Sequence, residues 1–380
     1  QVPVSYPEQM EPWQRAVYYN EMYTNVGMQP AFTQDAIEAY KTGSQPLRYP
    51  QVDWKDVCIT DYTPSTNHHL SVEGGSDIVT YYLSGNYFYE RDFHKSNEVN
   101  YNRYQIRSNI NVQASDNINI GFDLSGRLGK KRNPQGSDGI FSSVATSLPW
   151  HVERWPNGLL GDPVADGGVS PYTSMYEDIS GFEDNQDKEI RAILRFSYDM
   201  PWLTKGLELS GYGNYFYTFG YDKEFWNTWT MYTYNMDNEE YVPHTAFWPG
   251  IGASKSLELQ QSTYRNDFYH LRLSYDRSFG EHNFSGFAAY EQSESIYKEV
   301  GGFRKGLPSD KKPFMWAGEE GGRDIYEVSS EGGRVNYFGS LSYNYARKYM
   351  IDFTLRYDGS FNFAEGERFG LFPGVSAHMK

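Results

Sequence analysis

Residues 117–128 read Asn-Ile-Asn-Ile-Gly-Phe-Asp-Leu-Ser-Gly-Arg-Leu. Ile118, Ile120, Phe122, Leu124, Gly126 and Leu128 share one parity, and Asn119, Gly121, Asp123, Ser125 and Arg127 the other. Side chains on a strand alternate between faces, so this stretch predicts a strand with one apolar and one polar face. The pattern recurs about ten times. It predicts strands near 67–74, 77–90, 101–114, 117–130, 188–200, 206–219, 263–278, 283–298, 333–345, 348–358 and 368–378. The connections alternate between two kinds. Tight ones fall near Gly74–Asp77, Ala114–Asn117, Met200–Gly206, Ser278–Asn283 and Tyr345–Lys348. Long polar ones cover about 90–101, 130–188, 219–263, 298–333 and 358–368. An antiparallel meander puts every tight turn on one rim and every long loop on the other, as in bacterial outer-membrane barrels.

Aromatic residues cluster at two levels of these strands. Tyr198, Trp202, Tyr275, Phe279, Phe284, Tyr345 and Tyr349 lie beside the tight turns, and Tyr87, Tyr89, Tyr215, Tyr217 and Phe219 a strand-length away. Small or aliphatic residues such as Leu83, Gly85, Leu207, Leu209, Gly211 and Gly213 separate them. Two aromatic girdles around an apolar band are what a lipid-facing barrel wall requires. Soluble β-sandwiches and propellers share the alternation but explain neither the girdles nor the alternating loop lengths.

Composition narrows the class further. Aromatics make up 17% of the 380 residues, with 34 Tyr and 9 Trp. Mean hydropathy is −0.70, and no apolar run is long enough for a membrane helix. A barrel remains compatible, because half of its strand positions face water. A net charge of −15 argues against a nucleic-acid partner. Cys58 is the lone cysteine, so an internal disulfide and a thiolate metal cluster are both excluded. Gln1–Val4 lacks the charged and apolar regions of a leader, so the chain reads as mature or as an internal piece.

Residues 1–62 differ from the rest and predict a partly helical connector leading into the barrel, with residues 63–380 forming the wall. Glu11–Met22 predicts a helix with Pro12 in its first turn, and Thr33–Tyr40 a second, capped by Thr33 and closed by Gly43. Pro46, Pro50 and Asp53-Trp54 predict an extended stretch. In loop 130–188 a short helix with Ile140, Phe141, Val144 and Leu148 on its apolar stripe is expected, capped by Asp138.

Several segments resemble one family. Asn67-His68-His69-Leu70-Ser71-Val72-Glu73-Gly74-Gly75 with Thr80–Ser84, then Tyr101–Tyr104, Gly121–Gly126, Leu355–Ser360 and Arg368–Pro373, look like barrel strands of SusC/RagA-like TonB-dependent transporters of Bacteroidetes. Tyr49-Pro50 and Asp53-Trp54 are similar to that family's approach to the barrel. The resemblance implies an all-β, antiparallel transmembrane barrel of 22 strands. This chain would supply about eleven of them, the first half, with long extracellular loops. A periplasmic plug, a TonB-contacting segment and the C-terminal barrel half would lie outside it. It implies an outer-membrane location, a SusD-like surface lipoprotein as lid, TonB acting through the plug, and uptake of a glycan or peptide without chemical change.

No nucleophile elbow, H-E-x-x-H, P-loop or dinucleotide fingerprint is present, so the chain does not read as an enzyme. Adjacent His68 and His69 must point to opposite faces and make a poor joint metal site. Substrate-contact candidates are the loop rings Trp150, Trp155, Trp226, Trp229, Trp248 and Trp316, which could equally pack the loops' own cores. Arg107, Arg127, Arg191 and Arg195 share the polar parity and are expected to face the lumen. The acidic runs Glu183–Asp187 and Asp237–Glu240 fit no calcium-loop spacing. No cofactor is expected, and Ca²⁺ there is only a possibility. Two other readings share the alternating strands. One is a soluble or surface glycan-binding module or adhesin, which would need no detergent; the other is a β-rich glycosidase, which would need two facing carboxylates.

Overall fold

The computed structural model describes residues 9–161, 169–311 and 313–379. Gln1–Val4 and Lys380 lie outside them, as does part of loop 130–188. Three helices come first: α1 (Pro12–Asn25), α2 (Gln34–Thr42) and α3 (Trp54–Cys58). Strands β1 (Ser65–Gly75), β2 (Val79–Arg91), β3 (Asn100–Ser115) and β4 (Ile118–Pro134) follow. Two short helices, α4 (Ile140–Thr146) and α5 (Glu177–Ser180), occupy the next loop. Then come β5 (Gly181–Asp199), β6 (Leu207–Trp226), β7 (Trp229–Asn235), β8 (Glu240–Ala246), β9 (Ser256–Phe279), β10 (His282–Lys305), β11 (Arg323–Tyr345), β12 (Tyr349–Ser360) and β13 (Phe369–Met379). All but β7 and β8 form one eleven-stranded sheet in sequence order, and β7 and β8 pair as a separate hairpin. Every pair in the large sheet is antiparallel.

The register shows why this sheet is a wall with two unlike sides. One row of directly opposed residues runs Val79, Val112, Ile120, Phe196, Gly211, Leu271, Tyr290, Tyr337, Tyr357, Leu371. The next row runs Thr80, Asn111, Gly121, Arg195, Tyr212, His270, Glu291, Asn336, Asp358, Gly370. Apolar and polar surfaces thus stay on opposite faces across ten strands, because a slip of one residue at any pair would swap them. The apolar face is uncovered: Ile106 is 62% exposed and Leu194 54%. A contiguous apolar surface of this extent needs lipid or protein against it.

The outer girdle also slides along the strands. Tyr87 and Tyr89 on β2 stand well outward of the Val79 row, Tyr217 and Phe219 on β6 less so, and Tyr290, Tyr337 and Tyr357 lie in the row itself. Beyond Tyr290 the same parity turns polar, at Gln292 and Glu294. A drift of roughly one residue per strand, at ~3.3 Å rise and ~4.8 Å strand spacing, corresponds to a tilt of about 35°, within the barrel range.

The buried cores sit above the band, at the long-loop rim. Trp54, Cys58, Ile59, Ile140, Val144 and Met175 form one; Ala16, Ile37 and Tyr40, with Trp13, Phe32, Tyr49 and Trp150 against them, form another. The N-terminal helices therefore stand on the rim of the long loops, packed against residues of the loop after β4. β1 descends from that rim, since Ser65 pairs with Glu90 at the outer end of β2.

Several expectations need correction. β5, β6, β9, β10 and β11 run further outward than the alternation indicated, so the loops between them are shorter. These extensions carry polar residues on both parities and lose the period-2 signal. The acidic run Glu183–Asp187 is accordingly strand, not loop, and Trp226 ends β6. The stretch after Asp53 turns into α3, with Asp53 accepting from the Asp56 N–H at 3.0 Å. Asp138 makes no cap for α4; it lies in a 3-10 turn over Ser137–Gly139 and pairs with Lys131 at 2.9 Å. Thr33 does cap α2, accepting from the Ala36 N–H, and Gly43 closes it at φ +64°.

One tight turn yields a prediction. Gly206 adopts φ +85°, and an added Cβ would stand 1.8 Å from the Asp276 carbonyl oxygen. Gly206→Ala is expected to cost more than ~2 kcal/mol, since both the backbone angle and the β6–β9 contact must give. Denaturant unfolding in detergent measures it. Gly250→Ala, a positive-φ glycine with open space around it, should cost less.

Candidate functional site: the polar face and its outer rim

The structure puts all four candidate arginines on the polar face. Arg107 and Arg191 both stand opposite Ser125, one on each side. Arg195 pairs with Asp123 and reaches Asn111 Oδ1 at 3.3 Å. Asn109 donates to Asp123 at 2.5 Å and accepts from Arg107 at 3.0 Å. Arg127 pairs with Asp187 at 3.0 Å and Glu189 at 3.4 Å. Arg191 lies over the Phe216 ring at 4.7 Å. A hollow of about 590 Å³ opens on this face among Asn111, Gln113, Asn119, Arg195, His270 and Arg272. His270 bonds Glu291 at 3.0 Å and stacks on Tyr212. Charged, hydrogen-bonded side chains at this density can only face water or polar protein.

The six tryptophans do not form one site. Trp150 packs against Tyr19, Phe32 and Tyr40 of the helical cap. Trp155 donates to the Tyr232 carbonyl at 2.6 Å and packs on Tyr234 and Tyr241 of the β7–β8 hairpin. Trp229 is 7% exposed, in a core with Ile179, Met231 and Ala246. Trp248 donates to the Ser180 carbonyl at 2.8 Å and packs on the same core. Trp226 lies against Phe303. Trp316 alone of the six is freely presented, 80% exposed and stacked on Phe314. Its neighbour Met315 is anchored on Phe182, Phe225, Leu257 and Leu307. Phe182, Phe225 and Leu257 carry the apolar-face parity, so Trp316 stands on the outer flank of the wall rather than over the hollow.

Other groups behave as core or solvated surface. Cys58 is buried, and burial pushes its thiol up to about 12, so it stays protonated and unreactive. His94 is buried beside Ser137, whose carbonyl lies 3.1 Å from Nε2, and burial lowers its pKa. Asp237–Glu240 spans the exposed tip of the β7–β8 hairpin. Among the described residues no three His, Cys, Asp or Glu side chains are gathered as a metal site, and no helix is long and apolar enough to cross a membrane.

A wall of this kind defines a class, the β-barrel membrane proteins that cross with strands. The comparisons narrow it. No family model matches the chain. TonB-dependent receptor P3 of Formosa agariphila is 27% identical over 334 residues, covering 84% of this chain and 30% of that protein. TonB-dependent receptor SusC of Bacteroides thetaiotaomicron is 23% identical over 369 residues, covering 86% and 32%. In structure, the RagAB peptide transporter matches with a TM-score of 0.65 at 18% identity over 96% of this chain and 39% of that one. The RagAB peptide importer in its closed-closed state gives 0.68 at 17% identity, over 99% and 42%. The chain spans about a third of the length of the curated relatives it matches. The resemblance to SusC/RagA-like TonB-dependent transporters therefore holds in sequence and in fold, and the chain's place is the bacterial outer membrane. The named relatives are receptors.

Proposed function

We propose that the protein carrying this chain imports a nutrient across the outer membrane, binding it and passing it on unchanged. The reading extends to a glycan or peptide as cargo, a SusD-like lipoprotein as lid and energy relayed by TonB through a plug. The observation that carries it is the pair of adjacent rows, one apolar and one polar, held in register across ten strands. Such a wall separates lipid from a wet lumen, and the lumen is the route for a cargo. The receptor names of the sequence relatives support the TonB dependence. The RagAB neighbours, named for peptide transport, and SusC support a lid over the long-loop rim. So does α1, which leaves Val17, Tyr18 and Met22 exposed there, with Val26 at its C-terminal cap. Trp316 and Phe314 are the rings available for contact with the lid. Arg107, Arg127, Arg191 and Arg195 line the lumen, making ion pairs and contacts to the plug.

Deleting the gene in the source bacterium and testing growth on single glycans and peptides checks the proposal. Loss of growth on one nutrient, with the purified protein leaving that nutrient intact, is expected. Normal growth on all of them, or cleavage of the nutrient by the purified protein, contradicts it.

A further inference from the structure

Two lysines stand on the lipid-facing side of the wall, level with its outer aromatic girdle. One row of directly opposed residues runs Tyr87, Tyr104, Leu128, Lys188, Phe219. The next row outward runs Tyr89, Asn102, Lys130, Gln186, Tyr221. Both rows carry the parity of Leu194 and Gly213, so Lys130 and Lys188 leave the apolar face at the depth of the girdle rings. Both are exposed. They are diagonal neighbours on β4 and β5, about 7–8 Å apart at the backbone.

This flank of the wall is strongly cationic. Across β4, β5 and β6 the apolar parity carries Lys130, Arg132, Lys188 and Lys223 against one acid, Asp184. Arg132 pairs with that acid at 3.7 Å. Lys223 is held between the Phe182 and Phe314 rings, at 5.6 and 5.5 Å. Lys188 lies over the Phe219 ring at 4.9 Å. Among the described residues neither Lys130 nor Lys188 forms an ion pair. Two like charges at this spacing repel unless an anion comes between them.

A second observation lies inward on the same face. Ala192 and Gly213 are small, and they leave a trough of about 540 Å³ between Phe122 and Leu194 on one side and Tyr269 and Leu271 on the other. Its walls are aliphatic and aromatic, and it lies within the apolar band. Ala192 is four residues inward of Lys188 on β5, roughly 13 Å at ~3.3 Å per residue.

We propose that Lys130 and Lys188 hold the phosphate of an anionic outer-leaflet lipid whose acyl chain lies in the trough. Ammonium groups bind phosphate oxygens through short charge-assisted hydrogen bonds. The Gln186 amide and the Tyr221 hydroxyl, in the Lys130 row, offer neutral donors beside them. The charged end of the site sits at headgroup level and the apolar end in hydrocarbon, which is the amphipathy of a lipid. A zwitterionic headgroup carries its own cation toward the lysines and gains less. The occupant would clamp β4, β5 and β6 together at the root of the loop that carries α4 and α5. The inference rests on the outer-membrane location and not on the cargo, so its failure would leave the import reading standing.

The test is native mass spectrometry of the detergent-purified protein carrying this chain, incubated with dioleoylphosphatidylglycerol or with dioleoylphosphatidylcholine. The two probes share their chains and differ in headgroup charge. The anionic lipid should be retained roughly tenfold better, in keeping with two cations at a membrane surface. Lys130→Gln with Lys188→Gln should erase that preference, while Lys41→Gln with Lys311→Gln, above the membrane, should leave it. Gly213→Leu should fill the trough and lower retention with both lysines in place. An added Cβ at Gly213 meets the Tyr269 ring at 3.4 Å, an ordinary contact, so the variant should fold. Migration on gels before and after boiling checks the fold of each variant. Excess inorganic phosphate should leave most of the lipid bound. Equal retention of the two lipids, or undiminished retention of the anionic one by the lysine or the Gly213→Leu variant, overturns the proposal. So does full displacement by inorganic phosphate, which would assign the lysines to a free anion. A doubled protein mass that Gly213→Leu abolishes, without lipid preference, would assign the trough to a second copy and also overturns it.

Discussion

Leu194→Arg should cost about 2–4 kcal/mol of folding stability in a phospholipid bilayer, while Ser125→Glu on the neighbouring strand, a charge placed between two arginines, should cost under ~1 kcal/mol. Leu194 lies near the middle of the apolar band, between Phe122 on β4 and Gly213 on β6. A guanidinium there meets hydrocarbon on the lipid side and cannot reach water without distorting the strand or thinning the bilayer. Ser125 stands between Arg107 and Arg191 on the opposite face, where water already solvates charge. Urea titration of the protein refolded into lipid vesicles reads both. Equal effects at the two sites would mean that the faces are not solvated differently.

The second large effect is at the helical cap. Trp54 is fully buried, and its indole N–H donates to the Leu148 carbonyl at 2.9 Å. Trp54→Ala removes the centre of the core shared by α3 and α4 and orphans that carbonyl, so a local loss of about 3–5 kcal/mol is expected. The wall should survive, because its hydrogen bonds run strand to strand and involve no residue of the cap core. Limited proteolysis should therefore cut within residues 26–52 much faster in the variant, while the sheet keeps its resistance to detergent. Loss of both together would show that the cap and the wall fold as one unit.

The alternation made the wall legible because only membrane-level residues must be unlike on their two faces. Where the strands rise above the band, that constraint lapses. Glu183 and Asp184 are polar on successive parities, as are Asp222 and Lys223, so the outer ends of β5 and β6 looked like loop. The β7–β8 hairpin escaped for a related reason: Trp229 and Met231 sit in a loop core and Tyr234 packs on Trp155, rather than on a repeating face. The tryptophans show the limit most clearly. A ring that fills a core and a ring that meets a ligand are chemically the same, and only burial separates Trp229 from Trp316. The rim on which α1–α3 stand also depends on a long-range contact, Trp54 to Leu148, that no local pattern encodes. The opposed glutamates Glu183, Glu224 and Glu258 were hidden because they are distant in sequence and become neighbours only through the register.

The sheet of this chain is open at β1 and β13, and heat-modifiable migration of the whole protein tests most directly whether it forms part of a closed barrel with lipid on one side. The outer-membrane fraction of cells making the full gene product is run on a gel with and without boiling. A faster-migrating form in the unboiled sample that shifts on boiling is the predicted result, since a closed barrel resists detergent until heated. Identical migration, with the protein recovered in the soluble fraction and monodisperse without detergent, would contradict it and favour a soluble glycan-binding module.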